Sequence, residues 1–136
     1  MAFEQLLQTV SLVNGSGDLS SKQYYAVAPA TSGAGYVAPV ATRGSLSIGV
    51  TQDKSTAAGN SCQVGIGGIG KLACGDSSAG EVAISPGTVL VASSVGRGVP
   101  STATGLHTLA IALDSLSTGA QAILTVRYAA LGQLTS

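Results

Sequence analysis

Few residues in the chain could carry chemistry, and the first to consider is a single histidine. His107 is the only histidine among 136 residues, so any triad that uses histidine must include it. Asp114 follows it and serines are abundant, so this combination does not single out a catalytic group. The Gly-x-Ser-x-Gly motif is absent, and the carboxylates show neither a paired spacing nor a metal-ligand cluster. We therefore predict that the protein is not an enzyme and holds no metal.

Cys62 and Cys74 are the only cysteines. Two cysteines without histidine partners cannot supply the four ligands of a usual zinc site. A disulfide between neighbouring strands is geometrically possible, but the sequence does not fix it. Buried free thiols are the commoner state for a protein made in the cytosol, so we expect free thiols.

A glycine-rich run at residues 65–70 matches the GxGxxG motif, and with Lys71 it also spells GxxxxGK. Both motifs bind phosphate at the beginning of a helix, and the second also needs Ser or Thr after the lysine, where Leu72 stands. The residues that follow are rich in turn formers and do not predict a helix. We expect these glycines to allow a bulge or a close approach of strands, with no nucleotide or other cofactor bound.

Apolar residues alternate with polar residues or glycine through most of the chain, which is the spacing of half-buried strands. Turn signals recur about every 8–12 residues, as in β-barrels and β-sandwiches. We predict an all-β, small single-domain fold of the β-barrel or β-sandwich type. Residues 106–116 also fit a helical spacing, but their alternation favours a strand. The predicted strands are residues 19–29, 36–40, 46–50, 62–66, 69–73, 81–84, 88–92, 107–113 and 122–128.

The N-terminal segment has a different pattern. Four large apolar residues have the spacing of one helix face: Phe3, Leu6, Leu7 and Val10. The alternation of Val10 and Leu12 fits an extended chain instead, and residues 14–18 predict a flexible joint because glycine and asparagine tolerate positive φ. The segment is a short helix, a docking arm or a first strand, and it either binds a partner or packs on its own domain. We divide the chain into an N-terminal arm, residues 1–16, and a β-rich domain, residues 17–136.

The composition limits the partners. Charged residues make up 9% of the chain, against about 25% in a typical soluble domain. The net charge is zero, which favours association, although a monomer coated with Ser and Thr is the alternative. The six basic residues are scattered and aromatic residues are few, so we expect no nucleic acid partner. No apolar run reaches the roughly 20 residues of a membrane span and no signal peptide is evident, so we expect synthesis in the cytosol.

Several short segments follow one another along the chain in a characteristic order. They are Ile-Gly-Val at 48–50, Ala-Ala-Gly at 57–59, Val-Gly-Ile at 64–66, Lys-Leu-Ala-Cys-Gly at 71–75, Gly-Thr-Val-Leu-Val at 87–91, Gly-Val-Pro-Ser at 98–101, Ile-Ala-Leu-Asp at 111–114, Gly119 and Ile-Leu-Thr-Val at 123–126. In this order, over residues 17 to 128, the chain resembles the head decoration (capsid cement) proteins of tailed bacteriophages.

The resemblance implies a non-enzymatic structural virion protein with a compact β-barrel-like domain. Such a protein is commonly a homotrimer on the outer surface of the capsid, where it bridges major capsid protein subunits and stabilises the expanded shell. It would be made in the host cytoplasm and would need no small-molecule substrate, membrane or cofactor. Residues 1–16 and 129–136 lie outside the family pattern. We expect the arm to contact the capsid through Phe3, Leu6, Leu7 and Val10.

Three alternatives remain. The chain could be another virion component, such as a tail or fibre protein. It could be a carbohydrate-binding β-sandwich adhesin, although such sites usually present exposed aromatic residues, and here tryptophan is absent and tyrosine scarce. A small β-rich enzyme would have only His107 and Asp114 to work with.

Overall fold

The computed structural model describes residues 7–76, 82–101 and 104–133, and these residues form an all-β structure without helices. The small single-domain β-barrel class predicted from the sequence is confirmed. The strands are β1 (Gln8–Asn14), β2 (Ala26–Pro29), β3 (Tyr36–Pro39), β4 (Gly49–Thr51), β5 (Ser61–Gly67), β6 (Ile69–Cys74), β7 (Val89–Ala92), β8 (Gly98–Pro100), β9 (His107–Ala112) and β10 (Ala122–Gln133).

Two five-stranded sheets each close into a barrel. The first has the order β1-β3-β2-β4-β5, and the second has the order β10-β6-β8-β7-β9. Most neighbours are antiparallel, but β1 pairs with β3 and β6 pairs with β8 in parallel. The chain passes from the first sheet to the second between β5 and β6, where Gly68 has a φ of 83°. That left-handed conformation suits glycine, which has no Cβ to clash.

Alternating side chains divide the interior into two cores. Val27, Val37, Cys62 and Val64 form the smaller core, and all four belong to strands of the first sheet. Ala26 and Val50 point the other way and join the larger core, which consists mainly of residues from the second sheet. Because neighbouring strand residues face opposite sides, the first sheet fills its own barrel with one face and packs on the second barrel with the other.

Most of the predicted strands are confirmed within one or two residues, namely those at 36–40, 62–66, 69–73, 88–92 and 107–113. The strand predicted at 122–128 begins where expected but continues to Gln133 as β10. Residues 106–116 contain β9 and no helix. The predicted strand at 19–29 was too long, because residues 19–25 form turns and only Ala26–Pro29 is strand. The predicted strand at 46–50 begins too early, since β4 is Gly49–Thr51. Of the predicted strand at 81–84, residue 81 lies outside the described residues and Ile84 forms an isolated bridge to Leu116.

Strand β8 was missed, because its residues belong to a glycine-rich stretch that resembles a loop. Gly98 pairs with Cys74, and a Cβ on Gly98 would lie 2.6 Å from Leu72 Cδ2. A side chain there would therefore prevent the two backbones from approaching. The glycine that suggested a loop is what lets β8 enter the sheet.

Residues 8–14 of the N-terminal arm are β1, an integral strand of the first barrel. Of the alternatives left open by the sequence, the first strand is what the structure shows for these residues. The strand pairs with β5 from Gln8 to Val13 and with β3 at Val13 and Asn14. A division at residue 16 therefore does not separate this segment from the sheet.

Candidate functional site

The four predicted capsid contacts fall in different surroundings. Phe3 and Leu6 lie outside the described residues. Leu7 is half-buried against the larger core, and Val10 is half-buried on β1 against the smaller core. Leu7 and Val10 therefore serve the interior of their own domain and do not share one exposed apolar face.

The catalytic candidates do not form a site. His107 begins β9 and its Nδ1 lies 3.4 Å from the carbonyl oxygen of Gly44. Asp114 is exposed, and its carboxylate accepts a hydrogen bond from the Ser115 amide. Among the described residues, no group of three or more His, Cys, Asp or Glu could hold a metal ion. Cys62 and Cys74 are both buried free thiols, as expected.

The GxGxxG run lies on β5, the Gly68 turn and β6, and no helix follows it in the part of the chain that the structure describes. Strand β5 has a bulge at Ile66. Gln8 of β1 pairs with Gly67 and the next residue, Thr9, pairs with Gly65, so Ile66 has no partner in the register. Gly65 and Gly70 make room for the ring of Tyr128, since a Cβ on either would lie within 3 Å of it. The expected bulge and close approach are thus both present.

The structure also contains a surface pocket of about 320 Å³ that the sequence did not indicate. Its polar lining comes from the turn before β2, from Lys54 and from Arg97, and its apolar lining comes from β6 and β10. Among the described residues that line it, none is acidic. These residues are Ser20, Ser21, Gln23, Tyr25, Lys54, Ala73, Arg97 and Ile123.

Tyr25 lies at the centre of a cationic group. The guanidinium carbon of Arg97 is 5.5 Å from the centroid of its ring, and Lys22 Nζ is 5.7 Å from it. Both distances are within the range of cation–π attraction. Arg97 Nη1 also donates a 2.9 Å hydrogen bond to the hydroxyl of Tyr25. Two of the six basic residues, Arg97 and exposed Lys54, line the pocket, and a third, Lys22, lies over the ring of Tyr25.

Arg97 is held firmly. Its Nη2 donates to the carbonyl oxygen of Cys74 at 2.8 Å, and its Nε donates to that of Gly75. Its backbone closes a tight turn with the buried Ser93, because Ser93 N donates to Arg97 O and the Ser93 hydroxyl accepts from Arg97 N. These contacts set both the backbone and the guanidinium of Arg97 before any ligand arrives.

The turn that presents Tyr25 is strained. Among the described residues other than glycine, Tyr24 alone has a positive φ, at 66°. Buried Thr51 stabilises the turn, since its hydroxyl donates to Lys22 O at 2.7 Å and accepts from Tyr25 N at 3.1 Å. Strained backbone persists where its surroundings over-determine it, and such residues concentrate at functional sites.

Two nearby carboxylates each accept a hydrogen bond from one backbone amide. Asp18 accepts from Ser20 N at 2.9 Å, and this hydrogen bond lowers the pKa of the Asp18 carboxyl. Asp53 accepts from Gln63 N at 3.2 Å. Asp76 is buried next to Gly75 and is not among the lining residues. The pocket therefore offers cations and hydroxyls to a ligand, which is an arrangement for holding an anion.

Sequence reasoning missed this pocket because its cations are at positions 22, 54 and 97, which no linear motif joins. The adjacent tyrosines at 24 and 25 in an otherwise aromatic-poor chain were the one local signal. Comparison of the chain with protein-family models, with curated protein sequences and with solved structures finds no match to any of them. The described residues include no helix long and apolar enough to cross a membrane.

Proposed function

We propose that the chain is a non-enzymatic structural virion protein that binds the outside of a phage capsid and stabilises the expanded shell by bridging major capsid protein subunits. One observation carries this proposal. The order of sequence segments resembles that of decoration proteins, a resemblance that implies a compact β-barrel-like domain, and the chain is a small all-β protein with closed barrels.

The surface is suited to association. Among the side chains that the structure describes, six large apolar ones are at least 40% exposed: Leu46, Ile66, Val82, Val95, Leu113 and Ile123. Charged residues make up only 9% of the chain. A standard interface buries about 800 Å² per partner. Two neighbours in a homotrimer and one shell contact would then cover about a third of the 6694 Å² of accessible surface. Low charge reduces the desolvation cost of covering so much surface.

The contribution of the N-terminus must be tested without removing β1. A deletion that reaches residue 13 would remove most of a strand that pairs with β5, so loss of binding would report unfolding. The double substitution Phe3→Ser with Leu6→Ser leaves β1 intact. Gln5→Ser is the control, because it changes a polar residue of the same segment outside β1.

The experiment measures mass by light scattering and then co-sedimentation with empty expanded capsids of the phage that encodes the chain. We expect three times the 13.2 kDa of one chain, co-sedimentation of the wild-type and control proteins, and loss of binding by the Phe3/Leu6 variant. A monomer that ignores capsids would refute decoration, and binding to isolated tails would assign a tail or fibre role. Normal capsid binding by the Phe3/Leu6 variant would refute only the N-terminal contact.

A further inference from the structure

We propose that the Tyr25 pocket is a binding site for a carboxylate group carried on a short aliphatic chain. Two sources share this chemistry: an acidic side chain of a partner protein and a small free organic acid. The inference does not depend on capsid binding, because it concerns the isolated protein.

The donors of the pocket fit a carboxylate. A guanidinium has five N–H groups, and Arg97 directs three of them to Tyr25, Cys74 and Gly75, which leaves two for a ligand. The hydroxyl of Tyr25 accepts from Arg97, so its own proton is available to donate. The hydroxyls of Ser20 and Ser21 also line the pocket, and Lys54 adds a second cation. Hydrogen bonds from charged donors to carboxylates are the strong ones.

The remaining walls select the rest of the ligand. Ala73 and Ile123 are apolar, and Ile123 is 54% exposed. A chain of two or three methylene groups would cover this apolar surface, whereas inorganic phosphate would not. The cavity of about 320 Å³ is near the lower limit of small-molecule sites, so it suits a short acid. A sugar that stacked on Tyr25 would compete with the two cations already over its ring.

The site is built before the ligand binds. Arg97 is fixed by backbone carbonyls and by the Ser93 turn, and Thr51 fixes the strained turn that presents Tyr25. Binding to such a site orders few side chains, which improves affinity. The nearby carboxylates of Asp18 and Asp53 already accept backbone amides, so they do not compete fully for the cations.

The test is a titration of ¹⁵N-labelled protein followed by NMR at constant ionic strength. Three probes are compared: N-acetyl-glutamate methylamide, succinate and inorganic phosphate. The matched neutral probe is N-acetyl-glutamine methylamide, which differs from the first only in its side-chain amide. We expect saturable shifts of the amide signals of Ser20, Ser21, Tyr25 and Arg97 with the carboxylates and none with the glutamine derivative.

Variants locate the site. Lys54→Gln should weaken carboxylate binding about two- to fivefold, the usual effect of one exposed charge. Lys71→Gln is the control, because Lys71 is also exposed and lies on β6 but does not line the pocket. Arg97→Lys keeps the charge and removes the planar fork, so a larger loss is expected. If Arg97→Lys fails to fold, comparison of Lys54→Gln with Lys71→Gln still tests whether carboxylates bind in the pocket.

The outcomes separate the two sources. Binding of the glutamate derivative as tight as that of succinate would assign an acidic side chain of a partner, and binding of succinate alone would assign a free organic acid. Either result supports the carboxylate site. Absence of saturable shifts, tighter binding of phosphate, equal binding of the glutamine derivative or equal weakening by Lys71→Gln would each overturn it.

Discussion

The contact between Gly70 on β6 and Tyr128 on β10 provides a quantitative test of the packing inside the second barrel. A Cβ on Gly70 would lie 2.7 Å from the hydroxyl oxygen of Tyr128 and 2.9 Å from two of its ring carbons. The ring cannot easily retreat, because its hydroxyl donates to Lys71 O and accepts a 3.0 Å hydrogen bond from Gln52 Nε2. The ring also contacts Gly65, where a Cβ would lie 2.8 Å from the Tyr128 Cε2 atom.

Gly70→Ala should therefore destabilise the fold through overpacking. Overfilling a packed site costs about 1–3 kcal/mol, whereas replacing glycine by alanine restricts the unfolded chain and returns about 0.4–1 kcal/mol. The net loss in free energy of unfolding is about 1–2 kcal/mol. Gly67→Ala is the matched control on the same β5–β6 segment. Its Cβ would meet only the flexible end of the exposed Gln8 side chain within 3 Å, so we expect no loss.

The assay is urea unfolding followed by circular dichroism, with equal m-values required of all variants. Tyr128→Phe removes both the hydroxyl contact and the hydrogen bonds that hold the ring. Gly70→Ala should therefore cost about 0.5–1 kcal/mol less in the Tyr128→Phe background. Equal stabilities of the Gly70 and Gly67 variants, or strict additivity of Gly70→Ala with Tyr128→Phe, would refute the reasoning.

Three further predictions concern buried polar groups. Both thiols are buried, and burial together with the charge of Asp53 raises the pKa of Cys62 from 9.0 to about 11. Thiol labelling at pH 8 should therefore proceed only through unfolding. Labelling of Cys62 or Cys74 at the rate of an exposed thiol would contradict this prediction. Because the pKa of Cys62 is higher in the folded than in the unfolded protein, the stability that its neutral thiol contributes is complete below pH 9 and is lost as the pH rises towards 11. Urea titrations should therefore show that the free energy of unfolding falls less between pH 9 and 11 for Cys62→Ala than for the wild-type protein. Asn14 is fully buried, and its side chain accepts from Ser16 N in the loop after β1 and donates to the Ser55 hydroxyl. Urea unfolding of Asn14→Ala should therefore show a loss of about 2–3 kcal/mol in the free energy of unfolding, whereas exposed Asn60→Ala should change it by less than about 0.5 kcal/mol.

The strands could be predicted where alternation is regular and long. β5, β6, β9 and β10 each bury alternate or neighbouring apolar residues against a core, so their period is visible in the sequence. β8 could not be predicted, because a three-residue strand has no period and its Gly98 is selected by contact with Leu72. The closure of two barrels depends on pairings between strands that are distant in the chain, which local patterns do not encode.

The candidate site was harder still to predict than the fold. Lys22, Lys54 and Arg97 come together only because the Tyr24 turn, the loop after β4 and the Ser93 turn meet beside β6. In the sequence each is an isolated cation, and isolated cations normally lie on a solvated surface. The helical spacing of the N-terminal residues was misleading for the opposite reason. Leu7 and Val10 fit a helix face, but pairing of β1 with β5 satisfies the backbone as strand.

The positive charge of the pocket contrasts with the low charge of the rest of the chain. With 9% charged residues, most of the surface offers a partner shape and apolar contact, which are not directional. Two of the six basic residues line the pocket and a third lies over the ring of Tyr25, which concentrates positive charge at a single position. The positive charges of Arg97 and Lys54, which line the same pocket, repel each other. Backbone carbonyls and the ring of Tyr25 stabilise the charge of Arg97, whereas Lys54 is exposed. A bound carboxylate would neutralise this charge and orient the domain. Binding through the pocket must then weaken as salt rises, whereas apolar burial must not, so ionic strength separates the two contributions.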